Sequence, residues 1–96
     1  MQKIRKEINI ATEQLQKFVG TYEVEKDFEI KISLDTEQLF AKLTGQNAFP
    51  IFAESEMLFF LKVVDAQIQF EKNETGEISN LFLLQNGNKI EAKRTQ

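Results

Sequence analysis

The 96-residue chain contains neither cysteine nor histidine, and it has a single proline and a single tyrosine. Without cysteine there is no disulfide framework, no thiolate nucleophile and no sulfur-ligated zinc site. Without histidine the chain lacks the side chain most used for proton transfer near neutrality, and the commonest metal ligand. Its apolar residues, 42% of the total, are too abundant for disorder and too often interrupted for a membrane-spanning run. Positive charge is also in short supply: the net charge is −3 and the pI about 5.0, so phosphate backbones and anionic lipid meet no global attraction. Nucleic acid and membrane insertion are therefore set aside. The residues after Met1, QKIRKEINI, alternate charge with isoleucine and lack the apolar region and cleavage site of a signal peptide.

What is present is a rhythm of short apolar runs between turn-forming residues, in a length suited to one domain. Residues 1–11 read as an extended lead-in and residues 12–94 as a single domain. Thr12 is expected to cap a short helix whose stripe is Leu15, Phe18 and Val19, with Gly20 ending it. From there the period becomes two. Tyr22 and Val24 alternate with polar neighbours, and Phe28, Ile30, Ile32 and Leu34 alternate with Glu29, Lys31 and Ser33 over a full strand. Leu39, Ala41 and Leu43 share one face of the next strand, and Gly45, Gln46 and Asn47 form the turn after it.

Six of the nine phenylalanines fall between Leu39 and Phe70. A strand from Ala48 to Ala53 contains Pro50, which cannot donate a ladder hydrogen bond and so belongs at an edge, a seam or a bulge. The run from Met57 to Lys62 is apolar on both faces. With Met57, Phe59 and Leu61 inward, Leu58 and Phe60 point out, and the Thr12 helix or a partner is expected to cover them. Ala66, Ile68 and Phe70 alternate again. The consecutive Leu81, Phe82, Leu83 and Leu84 predict a bulge or two-faced burial near the end of their strand. Asn86 and Gly87 signal a type I′ hairpin, followed by Ile90 and Ala92, and the tail from Arg94 is expected to fray. About eight strands at this spacing predict a mainly β protein, a small antiparallel up-and-down barrel with one short N-terminal helix.

The succession FVGTYE, LFAKLTGQNAFPIF, ESEMLFFLKVVDAQIQF, Gly76 and LLQNGNKIEAKR resembles a lipocalin-like domain of unknown function. That domain lies C-terminal to the catalytic domain of many bacterial and archaeal serine hydrolases related to class C β-lactamases and D-aminopeptidases. The resemblance runs from about Thr12 to Arg94 and departs at Ala53, where many relatives carry a second proline. It implies a small barrel without activity of its own, accessory to a hydrolase domain in the same or a longer chain, and extracytoplasmic. The parent enzymes use a serine followed three residues later by lysine. Here Ser33, Ser55 and Ser79 are followed at that spacing by Thr36, Leu58 and Phe82, so no nucleophile can be assigned. Glu54 and Glu56 suggest an acid and base pair only on paper, since they sit in a predicted turn.

The candidate partner or ligand contacts are Tyr22, Gln46, Phe49, Leu58, Phe60, Asp65 and Gln85. Each polar member, and Asn86 beside them, has a plainer reading as a turn former or backbone partner, which is preferred. No catalytic, metal or cofactor residues are expected. Two further uses stand beside the accessory role: a carrier of a small apolar ligand within the barrel, which the bulky inward residues disfavour, and an independent hydrolase, which the missing histidine and serine–lysine spacing disfavour. An isolated copy is expected to expose the face a hydrolase would cover, and so to be able to form a homo-oligomer through it.

Overall fold

Residues 8–95 are described by the computed structural model. The order of elements is helix α1 (Thr12–Leu15), a 3₁₀ turn (Gln16–Phe18), then β1 (Gly20–Glu25), β2 (Phe28–Asp35), β3 (Gln38–Leu43), β4 (Ala48–Ala53), β5 (Leu58–Leu61), β6 (Ala66–Lys72), β7 (Ile78–Gln85) and β8 (Asn88–Arg94). The eight strands close into one antiparallel barrel in sequence order, as the alternation predicted. Successive hairpin turns must then alternate between its ends. The helix and the β2–β3, β4–β5 and β6–β7 loops share one end; the other four hairpin turns share the far end.

The lead-in is non-helical over residues 8–11, and the Ile8 N–H donates to the Ala53 carbonyl at 2.8 Å. Its earlier part, including Ile4, lies outside the described residues. Thr12 does not cap the helix. It is the first helical residue, and Ala11 stands at the cap position without a side-chain bond, its carbonyl accepting from Gln14 and Leu15. Nor does Gly20 terminate the helix: the 3₁₀ turn ends at Phe18, β-branched Val19 is already extended, and Gly20 opens β1.

The register accounts for the irregular runs. Glu71 pairs with Asn80 and Lys72 with Ile78, so Ser79 is an extra residue. This bulge turns both Ile78 and Leu81 inward although they are three apart, and it sits near the start of β7 rather than near its end. Phe82 and Leu84 consequently face out, half-buried. β5 is shorter than the apolar run, with Met57 outside it but packed against the core. Pro50 is opposite Phe40 of β3, while the ladder to β5 contains only Phe52 with Phe60 and Ala53 with Phe59. Pro50 thus lies at a seam, where a missing donor costs least. A second short seam closes the ring, with Tyr22 opposite Arg94 and Glu23 opposite Lys93.

In three hairpins a residue other than glycine takes a positive φ: Asp27 (69°), Thr36 (60°) and Asn86 (53°), the last followed by Gly87 (77°). The last is the type I′ geometry expected of that dipeptide. No atom lies within 4 Å of a Cβ built on Gly87, so Gly87→Ala should cost only the left-handed backbone penalty, about 1 kcal/mol. β-Branched Thr36 already carries that penalty, and Thr36→Asn should recover about 0.5–1 kcal/mol. Urea denaturation of the two variants should therefore shift the midpoint in opposite directions.

The interior is occupied by side chains. Tyr22, Phe59, Phe70, Ile30, Ile32, Leu39, Ile51, Ile68 and Leu81 are the largest fully buried groups. Phe18 plugs the helix end, its ring centroid 4.5 Å from that of Phe70 and 5.3 Å from that of Phe59.

Candidate functional site

The seven candidate residues separate into three places. Gln46, Phe49, Asp65 and Gln85 lie at the far end, because each is in or beside a hairpin turn that the up-and-down order puts there. A shallow cleft of about 320 Å³ along the β7–β8 turn brings Asp65 and Gln85 together with Lys89. Gln46 occupies a different turn, where its backbone N–H closes onto the Leu43 carbonyl at 2.9 Å, and Phe49 faces inward, half-buried against the core. Leu58 and Phe60 are on the outer face of β5. Contrary to expectation, the helix does not cover them, since Leu15 and Phe18 are spent on the core. Phe60 is buried instead by its own sheet, between Phe52, whose ring centroid is 6.0 Å away, and Gln67 on β6.

Tyr22 is at the helix end and wholly buried. Its hydroxyl donates to the Phe18 carbonyl at 2.7 Å, and the Arg94 guanidinium lies 5.8 Å from its ring centre. Arg94 is not part of a frayed tail. It is the last residue of β8, donating from Nη1 to the Ile78 carbonyl at 3.1 Å and from Nη2 to the Val19 carbonyl. The tyrosine and the arginine thus donate to the carbonyls left over where the helix runs out, a need every helix end has. Thr95 continues the closure, its N–H donating to the Thr21 carbonyl at 2.8 Å. Arg94 was missed although the pattern held a signal: it follows the buried Ala92 by two and so shares its face of β8.

Burial pushes the Tyr22 phenol up to about 12, with the Arg94 charge pulling the other way. The unfolded phenol ionises near 10. Because the folded value is the higher one, this contribution to stability is complete below about pH 10 and is lost as pH rises toward 12. Tyr22→Phe should cost about 1–2 kcal/mol at neutral pH by removing the bond to Phe18. Denaturant midpoints measured from neutrality to strong alkali should then converge, wild type losing more than the variant.

Among the described residues no constellation for covalent chemistry emerges. Ser33 and Ser55 are exposed, and Ser79 in the β7 bulge is hydrogen-bonded to Asn80 Oδ1 at 2.8 Å. Glu54 is more than a solvated turn residue, for Gln67 Nε2 donates to it at 3.0 Å; Glu56 is exposed. Among the described residues no group of three or more His, Cys, Asp or Glu is placed to hold a metal ion, and no helix is long and apolar enough to cross a membrane. A cleft of about 450 Å³ lies between the helix and the β4–β5 and β6–β7 loops, with Phe18, Met57 and Ile78 among Lys17, Lys72 and Glu77.

The alternation of the strands singled out Leu58 and Phe60 but not the rest of their surroundings. Phe40, Pro50, Phe52, Phe82 and Leu84 also point outward from β3, β4 and β7, and all are half-buried.

The sequence is similar to that of Penicillin-binding protein 4* of Bacillus subtilis (strain 168), with 27% identity over 92 residues that cover 96% of this chain and 20% of the relative. The chain therefore spans about a fifth of the length of that curated protein. Residues 4–94, which take in the helix and every strand of the barrel, match a family defined by sequence, and the chain belongs to it: the domain of unknown function DUF3471.

Proposed function

We propose that this barrel is a non-catalytic accessory domain of a β-lactamase-related serine hydrolase, packing on the catalytic domain and shaping access of substrate to it. The observation that carries this reading is the proportion of the match: 96% of this chain corresponds to only 20% of Penicillin-binding protein 4*. One complete barrel thus corresponds to a minor part of a larger relative, which supports a division between this barrel and a catalytic domain elsewhere. The chain's own residues support the division, having no serine–lysine pair at the spacing such hydrolases use and no histidine. An interior filled by Phe59, Phe70 and Leu81 counts against a carrier that holds its ligand inside. We include in the proposal the lipocalin-like character of the barrel, supported by the eight-strand order and the short helix at its mouth, and an extracytoplasmic location, supported by the name of the relative.

The test is kinetic. A β-lactamase-related hydrolase from the same genome is assayed on ester and D-amino-acid amide substrates, with and without this barrel. The barrel should be inert alone and should change kcat/KM more for bulky substrates than for small ones. Turnover by the isolated 96-residue chain, or hydrolase kinetics indifferent to it, would refute the accessory role.

A further inference from the structure

Six asparagines occur in the chain, and only Asn86 is followed by glycine. The residues after Asn9, Asn47, Asn73, Asn80 and Asn88 are Ile10, Ala48, Glu74, Leu81 and Lys89, each with a Cβ that crowds its own backbone nitrogen. Gly87 has no such atom, and the space where one would stand is open to 4 Å. Asn86 and Gly87 are both exposed. Among the described residues nothing is hydrogen-bonded to the Gly87 N–H. An asparagine side chain is of the length that closes a five-membered ring on the next backbone nitrogen. When base removes the Gly87 amide proton, that nitrogen can add to Asn86 Cγ; the Cγ–Nδ2 bond breaks, ammonia leaves and a succinimide remains. Water then opens the ring. Cleavage between the Gly87 nitrogen and Cγ gives aspartate. Cleavage between that nitrogen and the main-chain carbonyl gives isoaspartate, whose backbone runs through Cβ and Cγ and is one atom longer. Nothing is oxidised or reduced, and water is the only co-reactant.

The turn has no slack for that atom. Gln85 pairs with Asn88, which leaves two residues to reverse the chain, Asn86 at φ 53° and Gly87 at 77°. Type I′ geometry fixes the register that follows, from Gln85 opposite Asn88 to Asn80 opposite Lys93. β8 depends on this ladder, because its other side pairs with β1 only at Tyr22 with Arg94 and Glu23 with Lys93. We propose that Asn86 is a site of spontaneous deamidation, and that its isoaspartyl product loosens β8 and opens the barrel at the β1–β8 seam. The dipeptide best suited to the turn is also the one that cyclises. A covalent change at the exposed far end is thereby carried along one strand to the closure at the helix end.

The test holds the 96-residue chain in mildly alkaline buffer at physiological temperature and follows its intact mass, with peptide mapping and isoaspartyl methylation to place the change. Asn86 should gain the mass difference between NH₂ and OH, with isoaspartate the larger product, while Asn47, Asn73, Asn80 and Asn88 stay intact. The rate should rise with pH, as proton loss from the Gly87 N–H requires. In aged samples amide protection should fall along β7–β8 and at the β1–β8 seam and persist between β2 and β3. Gly87→Ala should stop the reaction over the same interval. Fresh Asn86→Asp, which adds the charge without lengthening the backbone, should keep the protection of fresh wild type. If either variant folds poorly by near-UV circular dichroism, aged and fresh wild type decide the matter. An Asn86 that stays intact, or deamidation spread evenly over the asparagines, would overturn the site. Isoaspartate at Asn86 with β8 still protected would overturn the opening of the barrel.

Discussion

Replacing Phe70 with alanine is expected to lower the stability of the barrel by about 4 kcal/mol, and its Tm by on the order of 20 °C. Phe70 is 1% exposed and sits at the centre of the aromatic cluster, within 4.5–5.8 Å, between centroids, of Phe18, Tyr22 and Phe59. The cost should lie toward the upper part of the usual range because the site cannot collapse. Its backbone is pinned in the ladder between β5 and β7, and its own N–H donates to the Met57 carbonyl at 2.8 Å. The vacated volume would remain, with the rings around it losing contacts on one side. A small domain holds only about 5–15 kcal/mol in total, so the variant should be partly unfolded near its growth temperature. The comparison is Phe82→Ala, the same chemical change on an outward, half-buried position, expected to cost about 1 kcal/mol. Equal losses in urea denaturation of the two variants would show that the inner cluster is not the core of the molecule.

Arg94→Ala should cost about 3 kcal/mol, the sum of two charge-assisted hydrogen bonds reduced by the water that reaches the half-buried Arg94 side chain. The carbonyls concerned belong to Ile78 on β7 and to Val19 where the helix meets β1, so one side chain joins three parts of the barrel. Arg94→Lys should recover less than half of the loss. Lysine brings the charge but not the planar fork that reaches two acceptors at once. Amide exchange gives a sharper measurement than global stability: protection should fall at the seam where Tyr22 faces Arg94 and Glu23 faces Lys93, while the β6–β7 ladder stays slow. A uniform loss of protection would mean that Arg94 acts on the whole fold rather than on this closure.

Much of the fold was legible because two independent signals coincide. Phe28 to Leu34 alternates without interruption over a full strand, and Asn86–Gly87 names its own turn geometry, which the backbone adopts. Pro50 announced a weak ladder on one side. Details that depend on distant residues were illegible. Thr12 looks like a cap in isolation, but the chain is already committed to its entry by the bond from Ile8 to Ala53. Arg94 looks like a solvated tail until its position as the successor of Ile90 and Ala92 is set against Tyr22, more than seventy residues earlier. For the same reason the candidate contacts did not form one site: turn chemistry picked out Gln46, Asp65 and Gln85, whereas the outward pairs Phe40–Pro50 and Phe52–Phe60 follow from cross-strand neighbours that no local window contains.

The two short seams also bear on synthesis. β1 to β4 and β5 to β8 are each runs of hairpins between sequence neighbours, which can pair as they emerge. The bond from Thr95 to Thr21, by contrast, joins residues 74 apart. Closing so long a loop carries an entropic cost that no local contact offsets in advance. β1 is thus among the first strands to leave the ribosome, yet its second neighbour is the last to be translated. Until Arg94 and Thr95 clear the exit tunnel, Tyr22 has no guanidinium and the ring stays open. A nascent chain stalled before these residues should hold an incomplete, protease-sensitive sheet, and the barrel should close only when its final strand is free.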